Sequence, residues 1–468
     1  MVAQAFQGLT LFGFAPFSVL GNTVRGTHPA SHRRADDSAA ERHWPMAARW
    51  LEADQASTTS TDQHATGKRY CFALLVVVVT DGMNVCFLIN QLAPGGAPTL
   101  LLDIVTHTDD DADVDFTVCF IEGEDALASD FEKAGVRVVD FGAAVKFDPR
   151  ALGRLARFFR REEFDVLHAH LPYSQTLGRV FGRLGGIDVI VSTQHSVPNH
   201  YHPITATLER ATRPLDTKTV AISKGVEREF TGSAHIYEPA RGGQWCTIYN
   251  GVDVARFHER VREIDTTDLE ARFGIDDEPM FLNVGRYVPA KAQHDLIAAM
   301  SRIVREYPDA HLFVVGWGEL EDDLAAAVDD RDLGANVTLT GRVPHADIHE
   351  YYALADVFVT SSTMEGLGIA GLEAMASALP VVATDVPGLR EIVMEGTTGL
   401  LVPPNSPDRL ADGMIRAVRT DEEYGLRGYE RAVATFDIRR TTASYLRLYR
   451  ELCGDAPRSA TTDTTENT

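Results

Sequence analysis

Lysine is scarce in this 468-residue chain: six of its 44 basic residues are lysines and the rest are arginines. Acidic residues outnumber basic ones, 67 against 44, and the net charge is −23. A nucleic-acid-binding protein needs a basic surface to displace counterions, so no nucleic-acid partner is expected. Because salt screens the repulsion within an acidic surface, the composition predicts a halophilic protein. Arginine-rich codon usage with a merely acidic surface is the alternative.

The chain also has few cysteines and no long apolar run. Its five cysteines are odd in number and form no Cys-x-x-Cys pair, which argues against a disulfide scaffold and a structural zinc site. No stretch reaches the ~18 apolar residues that indicate a membrane span, and the best candidate, residues 70–80, ends at Asp81. A cytoplasmic protein is therefore expected, with peripheral contact at the inner face of the membrane left open.

The two ends of the chain differ from its middle. Residues 1–82 include a long stretch rich in Ala, Ser, Thr, Asp, His and Arg without helical or strand periodicity, and a disordered extension is predicted there. Met83 directly precedes the first regular apolar run, so we interpret it as the natural start; a genuine N-terminal extension is the alternative. Residues 454–468 are predicted to be a disordered tail.

From Met83 onward, short apolar runs alternate with amphipathic stretches, which indicates βαβ units and parallel sheets. The series runs once to about residue 249 and restarts at Phe281, with a polar segment between. The sequence therefore predicts an α/β chain of two Rossmann-like, doubly wound domains facing a central cleft. Their expected bounds are 83–257 and 258–435, with a C-terminal helix at about 436–453 that returns to the first domain.

A glycine-containing loop, Gly366-Leu367-Gly368-Ile369, follows the strand predicted at 357–360 and leads into a helix. Glycines let the backbone approach a ligand, and free amides at a helix start attract anions, so this loop is a candidate phosphate site. Glu365 precedes the loop and Glu373 lies eight residues later. Their helical directions differ by ~80°, so both can border one groove. Two solvated glutamates on a surface helix are the alternative.

Two basic residues follow the strand predicted at 281–285. Arg286 comes directly after it, and Lys291 lies five residues later at the start of a helix. Ligands of open α/β sheets bind at the carboxyl ends of strands. The charge that grows on a departing diphosphate is neutralised by a metal ion or by an Arg/Lys pair, and these residues supply such a pair. Solvated surface positions are the alternative.

Taken in order, these segments resemble glycosyltransferase family 4, the retaining GT-B enzymes related to glycogen synthase and sucrose-phosphate synthase. The resemblance extends from about Met83 to Cys453. It is carried by Glu365…Glu373 (E-x7-E), Gly285-Arg286…Lys291 and the segments 315–320, 339–343, 380–393 and 399–402. It implies a GT-B fold, a nucleotide diphosphate sugar as donor, and a glycan, lipid or small molecule as acceptor.

The resemblance also implies roles for single residues. Glu365 would approach the donor sugar, Glu373 would hold the ribose, and the amides of Gly366–Ile369 would face the phosphates. The backbone at Arg342-Val343 would border the base. Ala292 departs from the family, which usually has glycine after the lysine.

The first domain offers a second glycine loop and two histidines. Gly95 and Gly96 precede a helix and resemble the family's glycine loop, although Pro98-Thr99 replaces its usual charged helix start. His170 and His195 lie at or just after the ends of predicted strands, a position that is more often structural for a single histidine. The resemblance places His195 near the donor phosphates and the acceptor, and we assign His170 to acceptor binding.

Charged runs give two weaker candidates. One face of a predicted helix carries a basic stripe formed by Arg150, Arg154, Arg157 and Arg161. This stripe is a candidate binding site for anionic lipid headgroups or a phosphorylated acceptor, and an ordinary solvated face is the alternative. Arg154 and Arg157 are accordingly assigned to acceptor binding. The run 109–111 resembles the Asp-x-Asp metal motif of the other large glycosyltransferase fold, but a solvated acidic loop is predicted there.

We therefore expect a retaining glycosyltransferase that needs no metal and no cofactor, with Glu365, Arg286, Lys291 and His195 in the catalytic centre. A nucleotide-sugar 2-epimerase of the same architecture is one alternative. A non-catalytic protein that binds nucleotide sugars or glycans is the other.

Overall fold

The computed structural model describes residues 82–454 except 110–111, 199–200, 274–278, 345–346 and 420–422. Disorder is predicted for residues 1–82 and 454–468, and all of these except residues 82 and 454 lie outside the described residues, as does most of the acidic run 109–111.

The first lobe is built on a seven-stranded sheet in the order β3-β2-β1-β4-β5-β6-β7, with every neighbouring pair parallel. Its strands are β1 Met83–Ile89, β2 Val114–Glu122, β3 Arg137–Ala143, β4 Val166–His170, β5 Val189–Gln194, β6 Lys218–Ala221 and β7 Trp245–Thr247. Its helices are α1 Gly96–Thr106, α2 Ala128–Lys133, α3 Pro149–Phe159, α4 Pro172–Gly185, α5 Pro203–Thr212 and α6 Lys224–Thr231. The central strands β4 and β5 are buried along their whole length because helices cover both faces of the sheet.

The second lobe repeats this plan with a six-stranded parallel sheet in the order β10-β9-β8-β11-β12-β13. Its strands are β8 Met280–Val284, β9 His311–Val315, β10 Val337–Gly341, β11 Val357–Thr360, β12 Val381–Thr384 and β13 Gly399–Val402. The remaining helices are α7 Val254–Glu263, α8 Thr267–Phe273, α9 Gln293–Ile303, α10 Glu321–Asp329, α11 Ile348–Leu354, α12 Ile369–Ala376, α13 Pro387–Ile392, α14 Pro407–Arg419, α15 Glu423–Thr435 and α16 Ile438–Cys453. The predicted pair of doubly wound α/β domains is thereby confirmed.

The chain passes between the lobes twice, at neighbouring points. The amide of Val252 donates to the Phe436 carbonyl oxygen at 3.0 Å, and the amide of Ile438 donates back to the Val252 carbonyl oxygen at 2.9 Å. After the second passage α16 packs in the apolar core of the first lobe through buried Tyr445 and Tyr449. The Tyr449 hydroxyl is 2.6 Å from Nδ1 of His168 on β4. The C-terminal helix thus belongs to the first lobe by packing.

A fully buried arginine joins α4 to the sheet edge of the first lobe. The Arg179 guanidinium donates to both carboxylate oxygens of Asp216, at 2.8 and 2.7 Å, and also contacts Glu209 on α5. Asp216 additionally accepts from Ser192 on β5. Burial raises the pKa of Asp216, while the charge of Arg179 opposes that rise. The ionised network therefore depends on Arg179.

No described helix combines the length and the apolar character that a bilayer crossing requires.

Candidate active site

In each lobe the strand order reverses once, between β1 and β4 in the first sheet and between β8 and β11 in the second. Open α/β sheets bind their ligands at the carboxyl ends of the strands beside such a point. The loops after β1, β4, β8 and β11 carry most of the candidate residues identified from the sequence. The fold therefore brings these residues together at the carboxyl ends of the strands, at one edge of each sheet.

Lys291 and Glu365 form an ion pair between the loops after β8 and β11. The Ser362 hydroxyl donates to the same carboxylate oxygen at 2.8 Å. The Ser361 hydroxyl donates to the Lys291 carbonyl oxygen at 2.9 Å, which ties the two loops together. Ala292, where the family usually has glycine, adopts a left-handed conformation with φ 49°, so the turn forms there without glycine. Ser361 and Ser362 were not singled out in the sequence, although their place directly after β11 was a signal.

The Gly366–Gly368 loop leads directly into α12. Gly368 precedes the helix with φ 92°, a conformation that favours glycine. Gly366 lies against the other lobe: a Cβ atom there would be 2.7 Å from the His195 carbonyl oxygen. The Ser223 hydroxyl of the first lobe donates to the Gly366 carbonyl oxygen at 2.6 Å. Leu367 is buried, and Ile369 opens the helix.

A glutamate of the second lobe holds the two lobes together beside this loop. The carboxylate of Glu391 on α13 accepts from the amides of Lys224 and Gly225 at the start of α6, at 3.0 and 2.5 Å. It also accepts from the Tyr249 hydroxyl at 2.8 Å. A carboxylate at a helix N-terminus is favoured by the helix dipole. The lobes thus meet through specific hydrogen bonds close to the candidate site.

Arg286 and Arg342 lie at the ends of β8 and β10. The Arg286 side chain is exposed, its guanidinium has no ion-pair partner among the described residues, and its carbonyl oxygen accepts from Gln293 at 2.9 Å. The Arg342 guanidinium lies over the Trp317 ring, 4.9 Å from its centre. Val343 is half-buried beside it. Arg286 is therefore available for an anion, whereas Arg342 is already engaged in a cation–π contact.

Glu373 is enclosed between helices. Burial raises the pKa of its carboxyl to about 7, a hydrogen bond from Tyr352 opposes the rise, and the negative charge of Asp103 on α1 adds to it. The Tyr352 hydroxyl donates to Glu373 Oε2 at 2.8 Å. Tyr352 lies 21 residues earlier on α11, so no local pattern in the sequence pointed to it. Asp103 belongs to the first lobe, whose charge therefore acts on Glu373.

In the first lobe, Gly95 and Gly96 form an exposed start to α1, and a Cβ atom at Gly96 would touch nothing within 4 Å. This loop follows β1, the central strand at the switch point. His195 follows β5 and is half-buried, and burial lowers the pKa of its imidazole to about 4. His195 is therefore a neutral hydrogen-bonding group at physiological pH.

The assignment of His170 to direct acceptor binding does not fit the structure. His170 has no exposed surface, since it lies at the end of a central strand under the rings of His168 and Phe87. Its Nδ1 is 3.0 Å from His195 Nε2. A side chain enclosed in this way contacts its neighbour rather than an acceptor.

The two arginines assigned to the acceptor lie on α3. Arg154 donates to the Phe141 carbonyl oxygen at 2.9 Å and to the Gly142 carbonyl oxygen at 3.1 Å, so it secures the end of β3. Arg157 is exposed. Among the described residues, no hydrogen bond or ion pair joins either of them to the second lobe.

Two doubly wound lobes, with a glycine-led helix start, an exposed arginine and a Lys/Glu pair after neighbouring strands of the second lobe, form the arrangement expected of a two-lobed sugar-transferring enzyme of GT-B type. Comparison with known families and proteins agrees. Residues 94–256 match the family described as Glycosyltransferase Family 4, and residues 265–429 match Glycosyl transferases group 1.

Similar proteins include the alpha-D-kanosaminyltransferase of Streptomyces kanamyceticus, 29% identical over 63% of this chain and 79% of that protein. The phosphatidyl-myo-inositol mannosyltransferase of Mycobacterium tuberculosis is 28% identical over 67% of this chain and 80% of its own. Among solved structures, the sucrose-phosphate synthase of Thermosynechococcus elongatus matches with a TM-score of 0.66 and 21% identity, covering 80% of this chain and all of that chain. The protein is therefore a nucleotide-sugar-dependent glycosyltransferase with a GT-B fold, and its two lobes are similar to these two glycosyltransferase families.

Proposed function

We propose that the protein transfers a glycosyl group from a nucleoside diphosphate sugar to an acceptor hydroxyl with retention at the anomeric carbon. The observation that carries this proposal is the Lys291–Glu365 pair beside the start of α12, where the neighbouring Gly366 lies against the His195 backbone of the first lobe. It combines a cation for the diphosphate, free helix-start amides and a carboxylate for the sugar at one place.

The donor diphosphate lies on the amides of Gly366–Ile369, with Arg286 and Lys291 neutralising its charge. Glu373 accepts hydrogen bonds from the ribose, and the backbone at Arg342-Val343 borders the base. The exposed loop at Gly95-Gly96 faces the diphosphate from the first lobe. All of these residues except Glu373, which lies within α12, are at a strand end or a helix start, where ligands of open α/β sheets bind.

Retention needs no covalent nucleophile from the protein. Glu365 already accepts from Lys291 and Ser362, which makes its carboxylate a weak nucleophile. As the bond between the anomeric carbon and the phosphate oxygen breaks, the acceptor oxygen bonds to the same face of that carbon. The released phosphate oxygen takes the acceptor proton. The protein contributes positioning and stabilisation of the leaving group.

The test is a panel of nucleoside diphosphate sugars and acceptors, with products identified by mass spectrometry and their anomeric configuration by NMR. Inversion in the product would refute retention. Donor incubated without acceptor separates the alternatives: epimerised nucleotide sugar would indicate a 2-epimerase, and no turnover under any condition would indicate a binding protein.

The same assay tests for a metal. We expect no loss of activity with a chelator, because Arg286 and Lys291 supply the positive charge that a divalent ion would otherwise bring. Loss that Mg²⁺ or Mn²⁺ restores would refute the metal-free proposal.

The acceptor is proposed to be a glycan or lipid hydroxyl presented near an anionic surface. The loop before α3 exposes Val145 and Phe147, 65% and 43% of their surfaces, next to the arginines of that helix. Apolar tips beside basic side chains suit a peripheral, cytoplasmic contact with anionic lipid. Sedimentation with anionic and neutral vesicles tests this, with Val145→Ser expected to weaken binding. Equal recovery with both vesicle types would refute it.

A further inference from the structure

Two histidines of the first lobe lie side by side at the ends of neighbouring strands. His170 ends β4 and His195 directly follows β5, with His170 Nδ1 3.0 Å from His195 Nε2. The His170 ring is held between its neighbours, 4.1 Å from the His168 ring centre and edge-on to Phe87 at 5.9 Å. Its orientation is therefore set by packing, and His195 is its one hydrogen-bond partner among the described residues.

His195 connects this buried pair to the cleft. Its backbone carbonyl oxygen lies against Gly366, the first glycine of the proposed phosphate loop. The second ring nitrogen of His195, Nδ1, has no partner among the described residues and is not buried. His170 Nε2, in contrast, is buried and has no partner among these residues. His195 thus presents Nδ1 to the accessible side.

The positions of the protons on the two rings follow from the number of protons and the partners available to each nitrogen. Burial lowers the pKa of His195 to about 4 and that of His170 well below its usual value, so each ring carries one proton at neutral pH. One proton must lie between Nδ1 of His170 and Nε2 of His195. If His195 donated it, His170 would hold its own proton on Nε2, leaving a buried N–H without an acceptor. Orphaned buried N–H groups are rarer than unpaired buried acceptors.

We propose that His170 is a positioning residue. Its Nδ1–H donates to His195 Nε2 and so keeps the proton of His195 on Nδ1. From there His195 donates a hydrogen bond to an oxygen of the nucleotide sugar. This deepens the proposed function and rests on it. His170 acts only through His195. Fixing the tautomer of a functional histidine by a second hydrogen bond is a general device.

The direct test is the ring-nitrogen NMR spectrum of the full chain labelled with ¹⁵N-histidine, with His195→Gln used to assign the signals of His195. We expect the Nδ1–H tautomer of His195 in the wild type. The Nε2–H tautomer in the wild type would overturn the proposal. This measurement needs no sugar donor, so it stands even if the proposed transfer reaction is wrong.

Two substitutions separate positioning from packing. His170→Asn places an amide N–H near the position of Nδ1, whereas His170→Phe fills the site but cannot donate. We expect His170→Phe to lose the Nδ1–H signal of His195 and to lower kcat about 10- to 100-fold, by analogy with residues that orient metal-ligating histidines. His170→Asn should keep most of that signal and most of the wild-type kcat. Donor KM should change less than kcat.

The neighbouring His168 provides the control, because its partners are Tyr449 and Thr193 rather than His195. Tyr449→Phe removes the hydroxyl that His168 contacts but keeps the His168 ring against His170, so it is expected to lower stability without changing the tautomer of His195. If His170→Phe retains turnover better than His170→Asn, packing rather than hydrogen bonding at this position determines turnover, and the proposal is wrong. If His170→Phe does not fold, the wild-type spectrum and the Asn variant still decide.

Discussion

The Lys291 ammonium contacts the Glu365 carboxylate, although the two residues are 74 positions apart and follow different strands. The pair lies at the switch point of the second sheet, where β8 and β11 are neighbours. It places a positive charge beside the glycine loop before any substrate arrives, so little reorganisation is needed when charge grows on the diphosphate.

Replacing Lys291 with alanine should therefore lower turnover more than donor affinity. We expect kcat to fall about 10²- to 10³-fold, the range found when one oxyanion donor is removed. Steady-state kinetics with varied donor provides the measurement. Lys133→Ala is the matched control, since that lysine forms an exposed pair with Asp130. A rise in donor KM alone would show that Lys291 does not stabilise the leaving group.

Replacing Glu373 with glutamine should mainly weaken donor binding, by about 1.5–3 kcal/mol for hydrogen bonds to a charged group. Because burial raises the pKa of Glu373 to about 7, its carboxyl is protonated below that pH and accepts ribose hydroxyls best above it. Wild-type affinity for the nucleotide sugar should rise between pH 6 and 8, and Glu373→Gln should remove this dependence.

Calorimetric titration with an intact nucleotide sugar measures both effects, since its diphosphate does not ionise near neutral pH. The exposed Glu430 on α15 supplies the control substitution Glu430→Gln. An unchanged affinity in Glu373→Gln would mean that α12 does not hold the ribose.

Gly366→Ala should impair catalysis through the contact between the lobes. The added Cβ atom would lie 2.7 Å from the His195 carbonyl oxygen, and backbone atoms yield little, so the loop or the lobe must move. We expect kcat/KM to fall about 10²-fold, as for a misplacement of about 1 Å. At Gly334 a Cβ atom would meet nothing within 4 Å, so Gly334→Ala should retain activity. Equal activity of the two variants would contradict the close approach.

Arg179→Met should destabilise the first lobe, because it leaves the buried carboxylate of Asp216 without its cation, whereas Glu209 keeps its ion pair with Arg213. The expected loss in the free energy of unfolding is about 3–5 kcal/mol, measured by urea denaturation. Arg137→Met removes an exposed pair with Glu162 and should cost about 1 kcal/mol or less. Similar losses in both variants would mean that burial does not govern the strength of these pairs.

Much of the fold was predictable from local pattern. The strand Val357–Thr360 was predicted with its exact bounds, because short β-branched runs between turn residues and helices admit one interpretation. The strand Gly399–Val402 was not predicted, since a Gly-Leu-Leu-Val run with one β-branched residue does not distinguish a strand from a buried loop. The polar segment between the two series, in which the domain boundary was placed, contains α7 and α8, and apolar residues of both helices pack in the core.

The sequence by itself determined the alternation of strands and helices, the glycine loop before α12 and the basic residues after β8, since these follow from hydrophobic period and turn chemistry over a few residues. Only the tertiary structure decided which of these groups meet. The partners Lys291 and Glu365, Tyr352 and Glu373, and His170 and His195 lie 21 to 74 residues apart. Burial, which raises the pKa of Glu373 and lowers that of His195, is likewise a property of the packed chain, because desolvation depends on every element that covers a group.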